Sequence, residues 1–274
     1  MPELPEAETI ARELHRRLRG LTLGRVVVAR TDVVHGDPRP LSRLLPRRRV
    51  RRVHRRAKRV ILDLAPTAQV VFHLGMSGRL TITDRNEPVE SHTHLCIAVA
   101  GQPIELRFRD PRRFGGVWCF AGGDDHVGKT LGALGVEPLE ATPASFCNLL
   151  SRRRQIKALL LDQRVIAGMG NIYCDESLHA AGIHPFTRAD LLDVDDSARL
   201  LRAIKSTLRS AIRSNGTTLM DYRRADGSEG SFRKRHRVYG RTGEPCRTCK
   251  TPITRILAAG RSTHLCETCQ VWIR

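Results

Sequence analysis

The sequence predicts an α+β protein: a leading helix and an N-terminal antiparallel β-sandwich with flanking helices, then a helical domain, then a cysteine-bearing hairpin. Three observations predict it. Apolar residues recur at helical spacing near the start, short β-like runs follow as far as about residue 120, and the pattern turns helical after Gly135-Val136-Glu137-Pro138 before C-x2-C-x16-C-x2-C closes the chain. The expected domains are 1–135 for the sandwich, 136–145 as linker, 146–237 for the helices and 238–274 for the hairpin.

Residues 5–19 read as a helix, with Pro5 in its first turn, Ala7, Ile10, Ala11, Leu14 and Leu18 on one stripe, and Gly20 ending it. Strands are expected at Val26 to Ala29, Val60 to Leu64, Val70 to Leu74, Leu95 to Ala100, Ile104 to Phe108 and Val117 to Phe120. Thr142 is placed to cap a helix that starts with Pro143, and helical runs follow at about 155–164, 171–181 and 190–214. Leu201, Ile204, Leu208 and Ile212 line up in the last of these. From 215 the chain is rich in glycine and arginine, and no internal repeat is visible.

The 274 residues carry 47 Lys and Arg against 28 Asp and Glu, a formal charge of 47 − 28 = +19. Residues 39–59 hold ten arginines and Lys58 with no acid, and residues 215–274 hold twelve basic side chains against five acidic ones. No apolar amphipathic helix accompanies these runs, so a nucleic acid is expected as partner rather than a membrane surface. No stretch approaches the roughly 18 apolar residues of a membrane span, and no secretory pattern opens the chain, so the expected location is the cytoplasm, in association with the nucleoid.

Cys96, Cys119, Cys147 and Cys174 sit in apolar contexts and read as buried reduced thiols. Cys246, Cys249, Cys266 and Cys269 have the spacing of a zinc site, and four thiolates leave no position for water. One Zn2+ is therefore expected to fold the C-terminus and to take no part in catalysis.

Other residues suggest chemistry. Removal of Met1 would leave Pro2 as a terminal secondary amine with Glu3 beside it, a pair able to attack a sugar C1′ and pass through an iminium without a small-molecule cofactor. Taken alone, Pro2 and Pro5 with their acids could equally be ordinary helix-start residues. Lys58, in Arg55-Arg56-Ala57-Lys58-Arg59, stands at the entry to an apolar strand, where it could meet a phosphate and assist proton transfer. In Gly168-Met169-Gly170-Asn171 the glycines permit close backbone approach, and Asn171 is expected at the cap of a helix whose N–H groups would cradle phosphate, Gly170 included. Met76 lies at the tip of a glycine-flanked turn after a strand, and Arg112 and Phe114 lie in a second such turn. Such residues could fill the space left by an extruded base. His92 and His94 would share a strand face, and phosphate contact by one of them is the better reading than metal.

Together these motifs resemble the bacterial formamidopyrimidine-DNA glycosylase family, the 8-oxoguanine repair enzymes, which shares its architecture with endonuclease VIII. The likeness runs nearly end to end through MPELPE, RRAK, HLGMSG, DPRRFG, LGVEPL, IKALLLDQ, GMGNIYCDES, AGIHP, NGTTLMDY, VYGRTGEPC and the cysteine hairpin. It implies an N-terminal β-sandwich, a helix-two-turn-helix domain and a zinc finger hairpin, with damaged double-stranded DNA across the cleft between the domains and a monomeric enzyme.

The resemblance also implies roles. Pro2 is the Schiff-base nucleophile, Glu3 the proton donor that opens the sugar ring, Lys58 the residue assisting β-elimination and Arg261 the residue of δ-elimination. Asn171, His92, Arg112 and Arg152 match DNA contacts, Lys157 matches a position near the lesion, and Met76, Arg112 and Phe114 match the void-filling trio. The segment 217–237 corresponds to a loop that caps the extruded base, with Tyr239 and Arg241 just beyond it. Arg152 stands where relatives often have lysine, Thr93 where an acid is common, and Asn215 where a glycine is common. The implied activity is a bifunctional glycosylase and β,δ-lyase for oxidised purines. The alternatives are an endonuclease VIII-like preference for oxidised pyrimidines and a damage-binding paralogue without chemistry.

Overall fold

The computed structural model describes residues 2–36, 41–121 and 132–273. The chain forms two compact units: Met1–Gly132 together with Ser214–Ser231, and Ala133–Arg213 together with Phe232–Arg274.

The first unit opens with helix α1 (Leu4–Leu18), whose buried stripe includes the predicted Ala7, Ile10, Ala11, Leu14 and Leu18. The strands are β1 (Leu23–Val28), β2 (Val34–Gly36), β3 (Val50–Arg56), β4 (Arg59–Leu64), β5 (Ala68–His73), β6 (Arg79–Asp84), β7 (Thr93–Val99), β8 (Ile104–Arg109) and β9 (Gly116–Ala121), with a short helix α2 (Leu41–Leu44) before β3. They form a four-stranded sheet in the order β1-β7-β8-β6 and a five-stranded sheet in the order β2-β9-β5-β4-β3.

The two sheets and α1 share one core, in which Val60, Leu62, Val70 and Phe72 of one sheet meet Leu80, Leu95, Ile97 and Phe108 of the other. The pairing is antiparallel throughout except for β2 with β9, which is parallel. Strand β3 escapes the sequence reading because five of its seven residues are basic. Its contact with the main core is made by Val50 and Val53, while Arg51 and Arg52 are exposed and the buried Arg55 side chain lies against α1, Nε 2.9 Å from Glu8 Oε2. In β4 the alternation puts Val60 and Leu62 in the main core and turns Ile61 to a second small cluster with Val71 and Phe120 on the opposite face.

The second unit contains α3 (Pro143–Leu150), α4 (Ile156–Leu161), α5 (Asn171–Ala181) and α6 (Val194–Arg213). Thr142 caps α3 by accepting a hydrogen bond from the Ser145 N–H at 3.1 Å, as its sequence predicts. Helix α5 is buried along nearly its whole length and ends at Gly182, which takes the left-handed conformation at φ 67°. Helix α6 is amphipathic, with Leu200, Leu201, Ile204, Leu208 and Ile212 buried.

The stretch read as a linker is packed: the Gly135 N–H donates to Gln163 O at 2.8 Å and Val136 bridges to Ile166. A Cβ at Gly135 would lie 2.2 Å from the Val165 backbone, so only glycine permits this approach. The unit ends in the hairpin β10 (Thr254–Ala258) and β11 (Arg261–Leu265). Its two-residue turn, Ala259 at φ 51° and Gly260 at φ 68°, has the backbone sign of a type I′ turn. The sequence reading counted all of 217–237 with the helical domain, whereas Ser214–Ser231 packs within the first unit.

Candidate active site and nucleic-acid interface

Within the first unit, Pro2 and Glu3 lie buried at the start of α1. Glu3 is the N-cap residue, and its N–H donates to Glu6 Oε2 at 2.8 Å. Glu6, itself 1% exposed, uses its other oxygen to accept the Thr217 N–H at 2.7 Å. One buried carboxylate thus ties the Pro2-Glu3 end of α1 to the root of the segment expected to cap the lesion.

The root is fixed further by Tyr222, whose hydroxyl donates to Asn215 O at 3.1 Å. Burial and the nearby Glu6 carboxylate push that phenol well above its ordinary range, so it remains a neutral donor. Farther along, Arg79 Nε donates to Asp221 O at 2.8 Å and the Ile82 N–H to Ala225 O at 2.7 Å, holding the segment along β6. Met220 stands 79% exposed at the outer part of the loop.

Lys58 sits in a two-residue hairpin turn, since Arg56 pairs with Arg59 across β3 and β4. Ala57 in that turn is left-handed at φ 52°, and Arg55 Nη1 donates to its carbonyl at 3.0 Å. Lys58 is 9% exposed, so the turn holds it against the fold rather than extending it into water.

Two loops carry the proposed void-filling residues. Met76, Arg112 and Phe114 are all exposed, and the Arg112 guanidinium lies 4.7 Å from the Phe114 ring centroid. Beneath them is Asp110, fully buried. Its Oδ1 accepts from Ser77 Oγ at 2.6 Å, its Oδ2 accepts from the Gly115 N–H at 2.7 Å, and its carbonyl meets His94 Nε2 at 2.8 Å. The Arg112 N–H reaches Ser77 Oγ at 3.2 Å. The loops interlock through glycine: a Cβ at Gly75 would lie 2.4 Å from the Phe114 and Gly115 backbone.

The two histidines do not share a strand face. His92 is exposed in the turn before β7 at φ 64°, where a phosphate contact is open to it, and His94 is buried on Asp110. His73, where β5 ends, is held down to about 4 by burial and by the positive charges of Arg59 and Lys58.

Within the second unit, the glycine loop differs from its expected form in one respect. Gly170, not Asn171, is the N-cap of α5, and Met169 is fully buried. Asn171 instead turns its amide onto the hairpin, donating to Ser262 O at 2.7 Å, and leaves its Oδ1 without a protein partner. Gln163 braces the loop by donating to Met169 O at 2.8 Å and accepting the Gly168 N–H at 2.9 Å. Arg152 is exposed just after α3.

Lys157 and Arg241 depart from the expected DNA contacts. Lys157 is fully buried, with Nζ 2.5 Å from Asp175 Oδ1 and 2.6 Å from Thr263 Oγ1. Arg241 spends its guanidinium internally, on Glu244 at 2.7 Å, Arg237 O at 2.6 Å and Pro245 O at 3.0 Å. Tyr239 is half-buried against His264, with ring centroids 4.9 Å apart, and its N–H donates to Glu176 at 2.9 Å. The same carboxylate also accepts the Arg237 and Val238 N–H groups. Arg261 is exposed at the hairpin turn.

The four hairpin cysteines bring their sulfurs within 4.8 Å of one another. Cys249 and Cys266 are 3.3 Å apart and Cys246 and Cys269 3.9 Å, close to the roughly 3.8 Å that tetrahedral zinc–thiolate bonds impose. His179 Nε2 approaches Cys246 Sγ at 3.5 Å and supplies an outer contact. The donor set fits one structural zinc and offers no position for catalysis. Of the other four thiols, Cys119 and Cys174 are buried as expected, while Cys96 and Cys147 are half-buried.

Family models cover this chain in three consecutive pieces: the formamidopyrimidine-DNA glycosylase N-terminal domain over residues 1–117, its H2TH domain over 134–223, and a zinc finger found in FPG and IleRS over 243–271. The chain belongs to the formamidopyrimidine-DNA glycosylase family. The curated formamidopyrimidine-DNA glycosylase of Herpetosiphon aurantiacus is 42% identical over 98% of this chain and 100% of its own length. That of Thermus thermophilus is 43% identical over 98% of each.

Among solved structures, the Thermus thermophilus family protein has a TM-score of 0.86 at 40% identity, with 98% of each chain covered. The Lactococcus lactis protein bound to abasic-site DNA has a TM-score of 0.90 at 32% identity, covering 98% of this chain and 99% of that one. Sequence reasoning had the family motifs but missed Glu6, Asp110, Asp175 and Gln163. Each lies inside a quoted motif; the bonds of Glu6 to Thr217, Asp110 to Ser77 and Asp175 to Lys157 and His264 join segments distant in sequence, whereas Gln163 binds only its neighbours Leu161, Gly168 and Met169 and Glu6 also meets Glu3 within the same helix start.

Proposed function

We propose that this family member is a monomeric base-excision-repair enzyme that removes oxidised purines, chiefly 8-oxoguanine and formamidopyrimidines, from duplex DNA and then cleaves the strand by β,δ-elimination. The observation that carries the reading is the buried Pro2-Glu3 start of α1, joined through Glu6 to the capping segment. With Met1 removed, the Pro2 nitrogen attacks C1′, and the damaged base departs with its bonding electrons and takes up the proton that the Pro2 nitrogen gives up on bonding. Glu3 protonates the ring oxygen O4′, the sugar opens, and the nitrogen lone pair completes the iminium. That cation acidifies C2′; loss of a C2′ proton expels the 3′ phosphate, and a second elimination expels the 5′ phosphate, leaving a one-nucleotide gap.

Lys58 assists the first elimination and Arg261 the second. Met76, Arg112 and Phe114 occupy the vacated space, while His92, Arg152 and the Gly170-Asn171 turn engage phosphates. The zinc finger holds Arg261 in place when zinc is bound. The work is done in the cytoplasm, on the nucleoid.

A preference for oxidised pyrimidines is the competing reading, supported by the solved complex of the Lactococcus lactis relative with DNA containing an oxidised pyrimidine. Side-by-side excision from duplexes with 8-oxoguanine and with thymine glycol decides between them. Faster release of 8-oxoguanine is expected, and faster release of thymine glycol would reverse the assignment.

A further inference from the structure

The family resemblance puts Lys157 near the lesion, whereas its ammonium is sealed inside the second unit. It bridges Asp175 Oδ1 and Thr263 Oγ1 at 2.5 and 2.6 Å, with both charged side chains fully buried. The partners of this pair converge on one piece of backbone. Thr263 Oγ1 donates to Arg261 O at 3.0 Å, Asp175 Oδ2 accepts the His264 N–H at 2.9 Å, and Asn171 holds Ser262 O at 2.7 Å. Helices α4 and α5 thereby grip the hairpin strand from Arg261 to His264, directly after its turn.

A buried ion pair is a poor source of net stability, because apolar residues of similar volume often pack as well or better. What the pair supplies here is direction: two charge-assisted hydrogen bonds, from Lys157 to Thr263 Oγ1 and from the His264 N–H to Asp175, that set the height and rotation of the strand from which the Arg261 side chain leaves. We infer that Lys157 and Asp175 are positioning residues for Arg261, setting the extent of the second elimination rather than touching the damaged base. The inference rests on the reading of Arg261 as the residue of δ-elimination.

The test uses a preformed abasic-site duplex and the full-length zinc-loaded protein. Each reaction yields the ratio of β,δ product, ending in a 3′ phosphate, to β product, ending in an unsaturated aldehyde. This ratio is internal to the reaction, so loss of bound enzyme cancels. The variants are Lys157→Met with Asp175→Leu, which keeps the site filled but removes the grip, Thr263→Val, which removes the link to Arg261 O together with one acceptor of the Lys157 ammonium but leaves the Lys157–Asp175 pair, and Arg261→Ala as reference; zinc content and the thermal transition establish folding.

The expected result is a fall of about tenfold in the ratio for the double variant, as for Arg261→Ala, with no further fall when the two are combined. Thr263→Val should give a smaller fall, and Lys157→Arg should recover part of it. An unchanged ratio in the double variant and in Thr263→Val, with Arg261→Ala lowered, overturns the positioning role while sparing Arg261. An unchanged ratio in Arg261→Ala overturns the reading of Arg261 and the inference with it. Should the double variant fail to bind zinc, the outcome for Thr263→Val decides.

Discussion

Ser77 Oγ donates to Asp110 Oδ1 at 2.6 Å, and through that bond the loop bearing Met76 is fastened to the loop bearing Arg112 and Phe114. Asp110 also takes the Gly115 N–H, so its removal strands two donors in a site without water access. Asp110→Ala should cost about 2–4 kcal/mol in urea unfolding. It should also weaken binding to an abasic-site duplex more than binding to undamaged duplex, since only the former needs the void filled. Equal weakening of both would show that the bond serves folding alone.

Gly216 stands at φ 81°, and a Cβ there would press within 2.9 Å of Glu6 Oε1. Gly216→Ala should therefore cost about 1–2 kcal/mol and loosen the Thr217 bond to Glu6. In the proposed reaction the loop holds a damaged base and is not needed for cleaving a site that has none. Excision of 8-oxoguanine should accordingly fall at least about tenfold more than cleavage of a preformed abasic site, and an equal fall in both would contradict the role given to the loop.

His73 is held neutral in the fold, at about 4 against an ordinary 6.5. A depressed histidine favours the unfolded chain in acid, because the unfolded state takes up the proton first. The stability it contributes is whole above pH 6.5 and is lost as pH falls from there toward 4, by at most about 3 kcal/mol after allowance for partial exposure. The difference in unfolding free energy between wild type and His73→Gln should shrink across that window, and a constant difference from pH 7 to 4.5 would refute the assignment.

For the finger, Cys249→Ser leaves three thiolates where the geometry provides four. Zinc content and DNA binding should be lost, while hydrogen exchange in β4, β5 and β8 stays protected, because those strands belong to the other compact unit. Normal DNA binding by this variant would remove the finger from the interface.

Periodicity carries most of the fold where one face is apolar and fails where charge dominates, and it also misses β6, whose Leu80 and Ile82 alternate with polar residues over only six positions. Helix α1, α5 and six strands follow from spacing alone, within a few residues at their ends. Strand β3 was hidden because Val50-Arg51-Arg52-Val53-His54-Arg55-Arg56 shows two apolar residues in seven, and β2 because three residues carry no period. The site was legible as motifs and illegible as geometry. Lys157 illustrates the gap: nothing in Ile156-Lys157-Ala158 says that its charge is spent on Asp175, eighteen residues away, and on Thr263, far beyond.

The proposed reaction turns on the Pro2 amine as nucleophile. Borohydride reduction during reaction with an 8-oxoguanine duplex measures it most directly, comparing protein with Met1 removed against protein whose terminus is chemically blocked. A covalent protein–DNA adduct should map to Pro2 in the first and be absent from the second. An undiminished adduct from the blocked protein, or one mapping to a lysine, would contradict it.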